Sequence, residues 1–383
     1  MRRFFLALWA FTGLAHVVVV AAHREILARV GVPFPVIVAI AISAALVALL
    51  GGRMELMRDD HPISVARRAG ELLYYVHWCG AVAATLLFLG AGAVALVVTT
   101  AARLASWSAP DLAAPLVLGS YGAGLVVSAY AIAIRGRRAR VRALEVEVVG
   151  LDPSLDGYRI VQLSDLHIGA LLGPRAPARW VAQANALAPD LVALTGDYVT
   201  NGVRFHERIA DVLGGLRAKD AVVAVLGNHD YFGGGEPLAT YLRERGVVLL
   251  RNARHTVTRG AASIEIAGVD DTWTRNADIE RTLRGFDGER PLVALSHDPA
   301  LFPAFAKRGA ALVLAGHTHW GQIGVPFLAE RYNLARRVFR FSAGLYRDGA
   351  SALYVNPGLG TTGPPVRFGS PAEISLFVLR AAR

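Results

Sequence analysis

Two hydrophobic patterns divide the chain, and the first covers residues 1–134. Four long stretches there carry no Asp, Glu, Lys or Arg: residues 4–23, 30–52, 72–102 and 112–134. Each has room for the roughly 20 apolar residues that cross a hydrocarbon core about 30 Å thick. Because the backbone must satisfy its own hydrogen bonds in that core, the pattern predicts a bundle of four transmembrane helices.

The second pattern consists of short apolar runs that end in polar residues. Residues 144–148 alternate between apolar and charged side chains, which predicts a half-buried strand. The continuous runs that follow are typical of strands buried on both faces; they are 160–163, 191–194, 222–226, 292–295 and 311–315, with later strand-like runs at 352–355 and 374–379. Helix-like segments at 176–187, 205–216, 237–245 and 299–307 separate them. We therefore predict a membrane domain over residues 1–142 and an α/β domain over residues 143–383.

Composition and charge add an orientation. The chain of 383 residues is 54% apolar, 18% charged and has a net charge of +10. If the N-terminus is cytoplasmic, the arginines on the inner side are Arg2, Arg3, Arg53, Arg58, Arg67, Arg68, Arg135, Arg137, Arg138, Arg140 and Arg142, and those on the outer side are Arg24, Arg29 and Arg103. This bias predicts an integral membrane protein with both ends of the chain in the cytoplasm.

The basic junction, residues 135–142, holds five of these arginines. It is either a topology signal or also a binding site for anionic lipid head groups. The remaining C-terminal half is almost neutral, which argues against nucleic-acid binding. A single cysteine, Cys79, excludes an intramolecular disulfide and a zinc site built from cysteines.

Two features of the membrane region leave alternatives open. Arg2 and Arg3 before an apolar stretch resemble a twin-arginine export signal, although a short basic start before a first span is the favoured interpretation. His16 and His77 lie inside apolar stretches. Such residues can mark a relay, but a neutral histidine packed against another helix is the preferred interpretation.

Candidate chemistry lies where the apolar runs of the second half end. Seven oxygen or nitrogen donors follow five of these runs: Asp165, His167, Asp197, Asn228, His297, His317 and His319. Ligands gather at the carboxyl ends of strands in such sheets. Carboxylate, imidazole and amide donors without thiolate suit Mn, Fe or Zn, so the sequence predicts a metal centre.

The charge of such a centre indicates its chemistry. Two divalent ions bring four positive charges, and Asp165 and Asp197 return two negative ones. With a bridging hydroxide the centre keeps a positive charge that attracts phosphate, and paired metals brace the attacking and leaving oxygens. Asp197 is the natural bridging ligand because a carboxylate has two oxygens to share.

The motifs Asp165-x-His167, Gly196-Asp197, Gly227-Asn228-His229-Asp230, His297 and Gly316-His317-x-His319 resemble those of the calcineurin-like metallophosphoesterases. The C-terminal motifs resemble a bacterial, membrane-attached phosphodiesterase subgroup, and they include Gly321-Gln322, Asn356-Pro357-Gly358 and Arg367. Trp320 departs from that subgroup, which often has glycine at this position.

The resemblance implies a four-layer αββα sandwich and two metal ions, Mn favoured. One ion would take Asp165, His167, Asp197 and His319, and the other Asp197, Asn228, His297 and His317. His229 would stabilise or protonate the substrate without binding metal, and Asp230 would orient His229. The implied function is hydrolysis of a phosphodiester or pyrophosphate bond, in a lipid or lipid-linked nucleotide, by attack of a metal-bridging hydroxide.

Other interpretations remain at this point. The substrate could be a soluble phosphomonoester or nucleotide, or the esterase domain could regulate a membrane receptor or transport module. Residues 322–347 mix aromatic side chains with arginines, which suits either a loop that docks on the bilayer or a surface excursion. Asp270 and Asp271 could join the substrate pocket, although a polar turn is favoured, and Arg367 could pair with a phosphate or form a structural ion pair.

Overall fold

A computed structural model describes residues 2–53, 60–133, 139–172 and 175–382. The chain forms two compact units. One contains Met1–Met57, Ser64–Ile134 and Pro364–Val366, and the other contains Arg58–Ile63, Arg135–Gly363 and Arg367–Arg383. Of the predicted basic junction, residues 135–138 lie outside the described residues.

The first unit is built from four long helices, as predicted. They are α1 (Arg2–Arg29), α2 (Pro35–Ala48), α3 (Val65–Leu104) and α4 (Ala113–Ala133). The segments long and apolar enough to cross a membrane are Leu6–Arg29, Pro35–Arg53, Val65–Leu104 and Ala113–Ala133. Helix α3 begins seven residues before the predicted apolar stretch because Ser64 caps it, accepting a hydrogen bond from the Arg67 amide at 3.2 Å.

The two intramembrane histidines pair with each other inside this unit. His16 Nδ1 donates to the Thr12 carbonyl at 2.8 Å, so its Nε2 is free to accept. His77 Nε2 lies 3.1 Å from that nitrogen, and His77 Nδ1 lies 3.1 Å from the Tyr121 hydroxyl. Each imidazole thus has partners within the helices, which is what the packing interpretation expects.

The second unit contains two six-stranded sheets. The first sheet has the order β1 (Ala139–Val148), β12 (Ala372–Ala381), β2 (Arg159–Leu163), β3 (Leu191–Thr195), β4 (Ala221–Val225) and β5 (Val248–Leu249). The second has the order β10 (Gly344–Asp348), β11 (Ser351–Val355), β9 (Ala310–Ala315), β8 (Leu292–Leu295), β7 (Ala262–Gly268) and β6 (Ala253–Arg259). Strands β2 to β5 run parallel, as do β7, β8, β9 and β11.

Alternation along the strands separates the layers. In β3, Leu191 and Ala193 belong to the core between the two sheets, whereas Val192 and Leu194 belong to the core under the helices. The helices of the first sheet are α5 (Arg175–Ala186), α6 (His206–Leu213) and α7 (Glu236–Glu244). Short helices α8 (Ile279–Thr282) and α9 (Phe302–Ala306) accompany the second. This confirms the α/β class, with helices outside two packed sheets.

The sequence pattern missed the hairpin β6–β7 and strand β10. In β6 only Val257 is buried, the other side chains are half-buried or exposed, and Arg and His are among them, so no apolar run marks the strand. Pairing fixes it instead, because β6 lies antiparallel to β7 from Ala253 opposite Gly268 to Arg259 opposite Ala262. Cross-strand pairing of this kind is absent from any local window of sequence.

Phe377 offers a test of the core between the sheets. It is fully buried, and its ring centroid lies 5.3 Å from that of Tyr354 in the other sheet. Phe377→Ala is expected to lower the free energy of unfolding by about 3–5 kcal/mol, the usual result of emptying such a site. Thermal unfolding of the purified full chain would measure this. The exposed Val149→Ala is the control, and equal shifts for both variants would contradict the assigned packing.

Candidate metal centre

The seven predicted donors all follow strands of the two sheets. Asp165 and His167 follow β2, Asp197 follows β3, Asn228 follows β4, His297 follows β8, and His317 and His319 follow β9. All but His317 are buried. Parallel strands bring their carboxyl ends to one edge of each sheet, so the fold gathers residues that are up to 154 positions apart in the chain.

The backbone at the site adopts a conformation that side chains disfavour. Five of the seven donors have left-handed φ angles: Asp165 (51°), His167 (44°), Asp197 (55°), His317 (69°) and His319 (52°). Such residues are uncommon and cluster at functional sites, where surrounding structure holds them. Here cross-strand hydrogen bonds hold them, since the amides of Asp165 and His167 donate to the carbonyls of Gly196 and Asp197 at 2.9 and 3.0 Å.

Four donors converge in a first group. His167 Nε2 lies 2.9 Å from His319 Nε2 and 3.5 Å from Asp197 Oδ2. His319 Nε2 lies 3.3 Å from Asp165 Oδ1. Two imidazole nitrogens at 2.9 Å share at most one proton, so at least one lone pair faces the middle of the group.

A second group uses the same oxygen of Asp197. His297 Nε2 lies 3.2 Å from Asp197 Oδ2 and 3.2 Å from His317 Nδ1. His297 Nδ1 donates to the Thr195 carbonyl at 2.8 Å, which turns Nε2 towards Asp197 as the candidate ligand atom. Burial opposes the charge of this ring, but Asp197 outweighs burial and raises the pKa of His297 well above its usual value, so a cation would take the place of a proton there. Within the described part of the chain, the buried amide oxygen of Asn228 has no hydrogen-bond partner.

These distances fit divalent cations. Donors about 2.0–2.1 Å from a metal ion lie about 2.8–3.4 Å apart in octahedral or tetrahedral geometry. The separations of 2.9, 3.2 and 3.3 Å fall within that range, and the 3.5 Å between His167 Nε2 and Asp197 Oδ2 is just above it. The orphaned oxygen of Asn228 is a further donor that a cation would satisfy.

Burial keeps most of the imidazoles neutral, which is the form that binds metal. It lowers the pKa of His167 to about 3 and the pKa of His317 to about 4. Burial, His167 and Arg367 hold the pKa of His319 well below its usual value. Burial opposes ionisation of Asp197, but His297 and His229 outweigh it and keep the pKa of Asp197 well below its usual range.

His229 lies at the rim of the groups and is half-buried. Its Nδ1 donates to the Thr200 carbonyl at 2.6 Å, and its ring packs 4.8 Å from that of His167. A donor atom of His229 lies within 4.8 Å of the donor atoms of His167 and Asp197. The carbonyl holds the ring in one orientation and leaves Nε2 for a substrate.

Asp230 differs from its expected role. Its carboxylate accepts hydrogen bonds from the backbone amides of Asp197, Tyr198 and Gly227, at 2.9, 2.8 and 2.9 Å. Asp230 therefore fixes the loop that carries Asp197, and the Thr200 carbonyl takes over the predicted orienting bond to His229. Burial and the charge of Asp197 raise the pKa of Asp230 to about 8.

Arg367 also differs from both sequence alternatives. Its side chain is fully buried and donates to the carbonyls of Pro357 and Gly360. It therefore holds the loop beside His319, with Nη2 3.3 Å from His319 Nδ1. The unusual Trp320 is buried as well, with a φ of 51° and a hydrogen bond from Nε1 to the Val355 carbonyl at 2.8 Å. Glycine avoids the strain of that φ, whereas Trp320 offsets it by burial.

Aromatic rings surround the donors, and two of them, Trp273 and Phe339, come from stretches that the sequence raised as possible neighbours of the site. The rings of Trp273 and Phe339 lie 5.4 and 5.2 Å from that of His317. Phe232 lies 4.7 Å from His229. Asp270 accepts from Tyr231 and Arg251 in a structural network, as the polar-turn interpretation expects. Only the three-dimensional neighbours of the histidines identify these rings.

Several known proteins are similar to this chain. The family model described as calcineurin-like phosphoesterase matches residues 158–321. A Bacillus subtilis metallophosphoesterase, YkuE, is 32% identical over 59% of this chain and 80% of its own length. A zebrafish transmembrane protein with a metallophosphoesterase domain is 34% identical over 67% of this chain, and the matched part covers 61% of that relative's length. NAD nucleotidase from Haemophilus influenzae, a solved structure, covers 53% of this chain and 45% of its own, with 15% identity and a TM-score of 0.39.

The chain belongs to the calcineurin-like metallophosphoesterases, a family of metal-dependent phosphoester hydrolases. The predicted family is thereby confirmed, and relatives with the same domain are named transmembrane proteins.

Gly316 tests the geometry of the first group. A Cβ at this position would lie 2.0 Å from Ser164 Oγ and 2.2 Å from Asp165 Oδ2. Gly316→Ala is expected to weaken Mn²⁺ binding by about 10- to 100-fold, as losses in the support of metal ligands do. Calorimetric titration of the full chain would measure it. Gly70→Ala, whose Cβ would meet open space without a left-handed φ, is the control, and unchanged affinity in Gly316→Ala would contradict the assignment.

Proposed function

We propose that this chain is a membrane-anchored phosphoesterase with two divalent ions, Mn favoured. One ion would bind Asp165, His167, Asp197 and His319, and the other Asp197, Asn228, His297 and His317. The observation that carries the proposal is the convergence of both groups on Asp197 Oδ2, which lies 3.5 Å from His167 Nε2 and 3.2 Å from His297 Nε2. The bond cleaved is a phosphodiester or pyrophosphate.

The charges of the centre suit a phosphate substrate. The ligand set supplies two carboxylates and four imidazoles, so two divalent cations leave a positive surplus that attracts an anion. Such ions lower the pKa of bound water and brace the oxygens of an in-line displacement. The protein's own contribution is to hold these donors rigidly at strand ends, with little water between them.

His229 is the residue best placed to handle a proton. With Nδ1 held by the Thr200 carbonyl, its Nε2 can donate to the leaving oxygen or to a phosphate oxygen. Its backbone amide donates to Asp197 Oδ1 at 2.9 Å, which ties its position to the shared carboxylate. His229 is therefore held in a fixed position relative to the donor groups, and its Nε2 is available to the substrate.

Activity of the full chain in detergent is the first test. With Mn²⁺ we expect hydrolysis of bis-p-nitrophenyl phosphate that exceeds hydrolysis of the monoester and disappears on chelation. His229→Ala is expected to lower kcat by about 100-fold or more while Mn²⁺ binding stays, because general acid catalysis contributes about that much. Asp197→Ala is expected to lose both metal binding and activity.

Two results would contradict the mechanism. One is full activity of Asp197→Ala in chelator, and the other is loss of Mn²⁺ binding in His229→Ala, which would make His229 a ligand. Val149→Ala, with its exposed side chain, is the control for both variants.

A lipid or lipid-linked nucleotide is the substrate class we favour. The segment 323–340, here called the apolar arm, exposes apolar side chains to an unusual degree: Ile323, Val325, Phe327, Leu328, Tyr332, Leu334 and Val338. Phe327 is 99% exposed and Val338 is 77% exposed. Exposed arginines are interspersed with them: Arg331, Arg336, Arg337 and Arg340.

The apolar arm and the metal centre are adjacent. Phe339 belongs to the arm and packs against the candidate ligand His317, with ring centroids 5.2 Å apart. Apolar side chains beside arginines favour the interface of an anionic bilayer, where both groups find partners. A substrate phosphate at that depth would reach the centre while its acyl chains stay in lipid. The arginine bias of the membrane segments supports a cytoplasmic position for this site.

The double variant Phe327→Ser with Val338→Ser tests the arm. We expect turnover of phospholipid or lipid-linked pyrophosphate in mixed micelles to fall about 10-fold or more, since each side chain contributes about 1.5–3 kcal/mol when it is buried. Turnover of bis-p-nitrophenyl phosphate should not change. Equal losses on both substrates would contradict docking and favour a soluble substrate.

Arginine variants separate charge from apolar contact. Arg336→Ala with Arg337→Ala is expected to raise KM for substrate in anionic micelles and to leave KM in neutral micelles unchanged. Arg208→Ala with Arg243→Ala removes the same charge from exposed positions on α6 and α7 and serves as the matched control.

A further inference from the structure

A short piece of the membrane half belongs to the catalytic unit. The chain on both sides, Met1–Met57 and Ser64–Ile134, forms the helical unit, whereas Arg58–Ile63 groups with the sheets. Of this piece, residues 60–63 are described, and they contain no helix or strand. They lie in the connection between the second and third membrane spans. Hydropathy predicts that connection only as a loop.

Asp60 is the residue of this piece that contacts the rest of the unit. Its side chain is 4% exposed, and its Oδ1 accepts a hydrogen bond from the Ala170 amide at 3.0 Å. Its Oδ2 lies so close to Gly169 that a Cβ there would be 2.0 Å away. The φ of Gly169 is not in the left-handed region, so glycine is required here for space. Asp60 thus fills a place shaped for its carboxylate.

The loop that Asp60 holds is the one that carries His167. Residues 165–170 leave β2 with left-handed φ angles at Asp165 and His167, so the loop needs external support. On its other side the Thr200 hydroxyl donates to the His167 carbonyl at 3.1 Å, and the Thr200 amide donates to the Ile168 carbonyl at 3.1 Å.

The same support reaches His229. The Thr200 carbonyl is the acceptor that orients His229 Nδ1 at 2.6 Å. The Thr200 hydroxyl and the Asp60 carboxylate flank Gly169, since a Cβ there would lie 2.9 Å from Thr200 Oγ1 and 2.0 Å from Asp60 Oδ2. Asp60, the 167–170 loop, Thr200 and His229 therefore form one continuous series of contacts.

We infer that Asp60 is a positioning residue of the metal centre, supplied to the catalytic unit by the connection between two membrane spans. The centre would then be incomplete in a fragment that begins after the fourth span. The inference rests on the proposed function for its kinetic consequence, but the anchoring itself rests only on the contacts of Asp60.

Topology is consistent with this assignment. Asp60 lies before the third and fourth spans, and the sheets lie after both of them. If both of these candidate spans cross the membrane, the chain returns to the side from which it left, which is the condition that the contact of Asp60 with Ala170 requires. A membrane domain with an odd number of spans between them would make the contact impossible.

Hydrogen exchange and kinetics of the full chain in detergent test the inference together. In Asp60→Ala, the Ala170 amide loses its carboxylate acceptor, and we expect its exchange to accelerate about tenfold or more. We expect kcat to fall about tenfold with KM unchanged, because the substrate still meets the same surface. Asp60→Asn keeps an oxygen acceptor of the same shape and should restore most of both properties.

Asp190 provides the matched control. It is also a buried carboxylate that accepts from a backbone amide, that of Arg159 at 2.7 Å, but it precedes β3, whereas Asp197 follows that strand. Asp190→Ala should lower the unfolding temperature without changing exchange at residues 167–171 or kcat of the folded protein.

Three results would overturn the inference. They are unchanged exchange in Asp60→Ala, equal impairment in Asp60→Asn and Asp60→Ala, and an equal loss of kcat in Asp190→Ala. If the wild-type chain hydrolyses none of the esters, the proposed function fails, and the exchange measurement still decides whether Asp60 anchors the loop.

Discussion

The shared carboxylate of Asp197 is the constraint on which the centre depends. One of its oxygens lies within 3.5 Å of imidazole nitrogens from both donor groups, and the other accepts the amide of His229. Such a position requires a tight turn after β3, and Gly196 supplies it with a φ of 88°. The Asp230 carboxylate accepts a hydrogen bond from the Asp197 amide, so a second buried acid holds the first in place. The two donor groups are therefore two halves of one arrangement.

Much of this arrangement could be predicted because short stretches of the sequence indicate it. Continuous apolar runs such as 191–194 mark strands buried on both faces, and polar residues directly after them must lie at the edge of the sheet. The four long helices follow from apolar length alone. Their starts do not, since Ser64 extends α3 seven residues beyond the apolar stretch by capping it.

The charged residues whose roles were not predicted form hydrogen bonds with the backbone. Asp230 and Arg367 are charged residues, so sequence reasoning assigned them a histidine, a phosphate or an ion pair. In the fold, Asp230 accepts from main-chain amides and Arg367 donates to main-chain carbonyls. The role of Asp60 is still harder to predict, because its partner Ala170 lies 110 positions further along the chain and only tertiary structure brings the two together. Residue type reveals the chemistry that is available, whereas tertiary contacts decide where it is applied.

The centre also links metal binding to the folding of the catalytic unit. Five donors with left-handed backbones cost about 1–3 kcal/mol each. The Asp165 carboxyl is fully buried, and burial raises its pKa to about 6, so its charged form is less favoured than it is in water. Cations bound between these donors favour that charged form and stabilise the folded state through their affinity for it. Asp60, Asp230 and Arg367 also stabilise the folded state, because each forms hydrogen bonds with backbone groups of the strained loops. Sheet packing, these polar supports and a bound cation would each add to the stability of the unit.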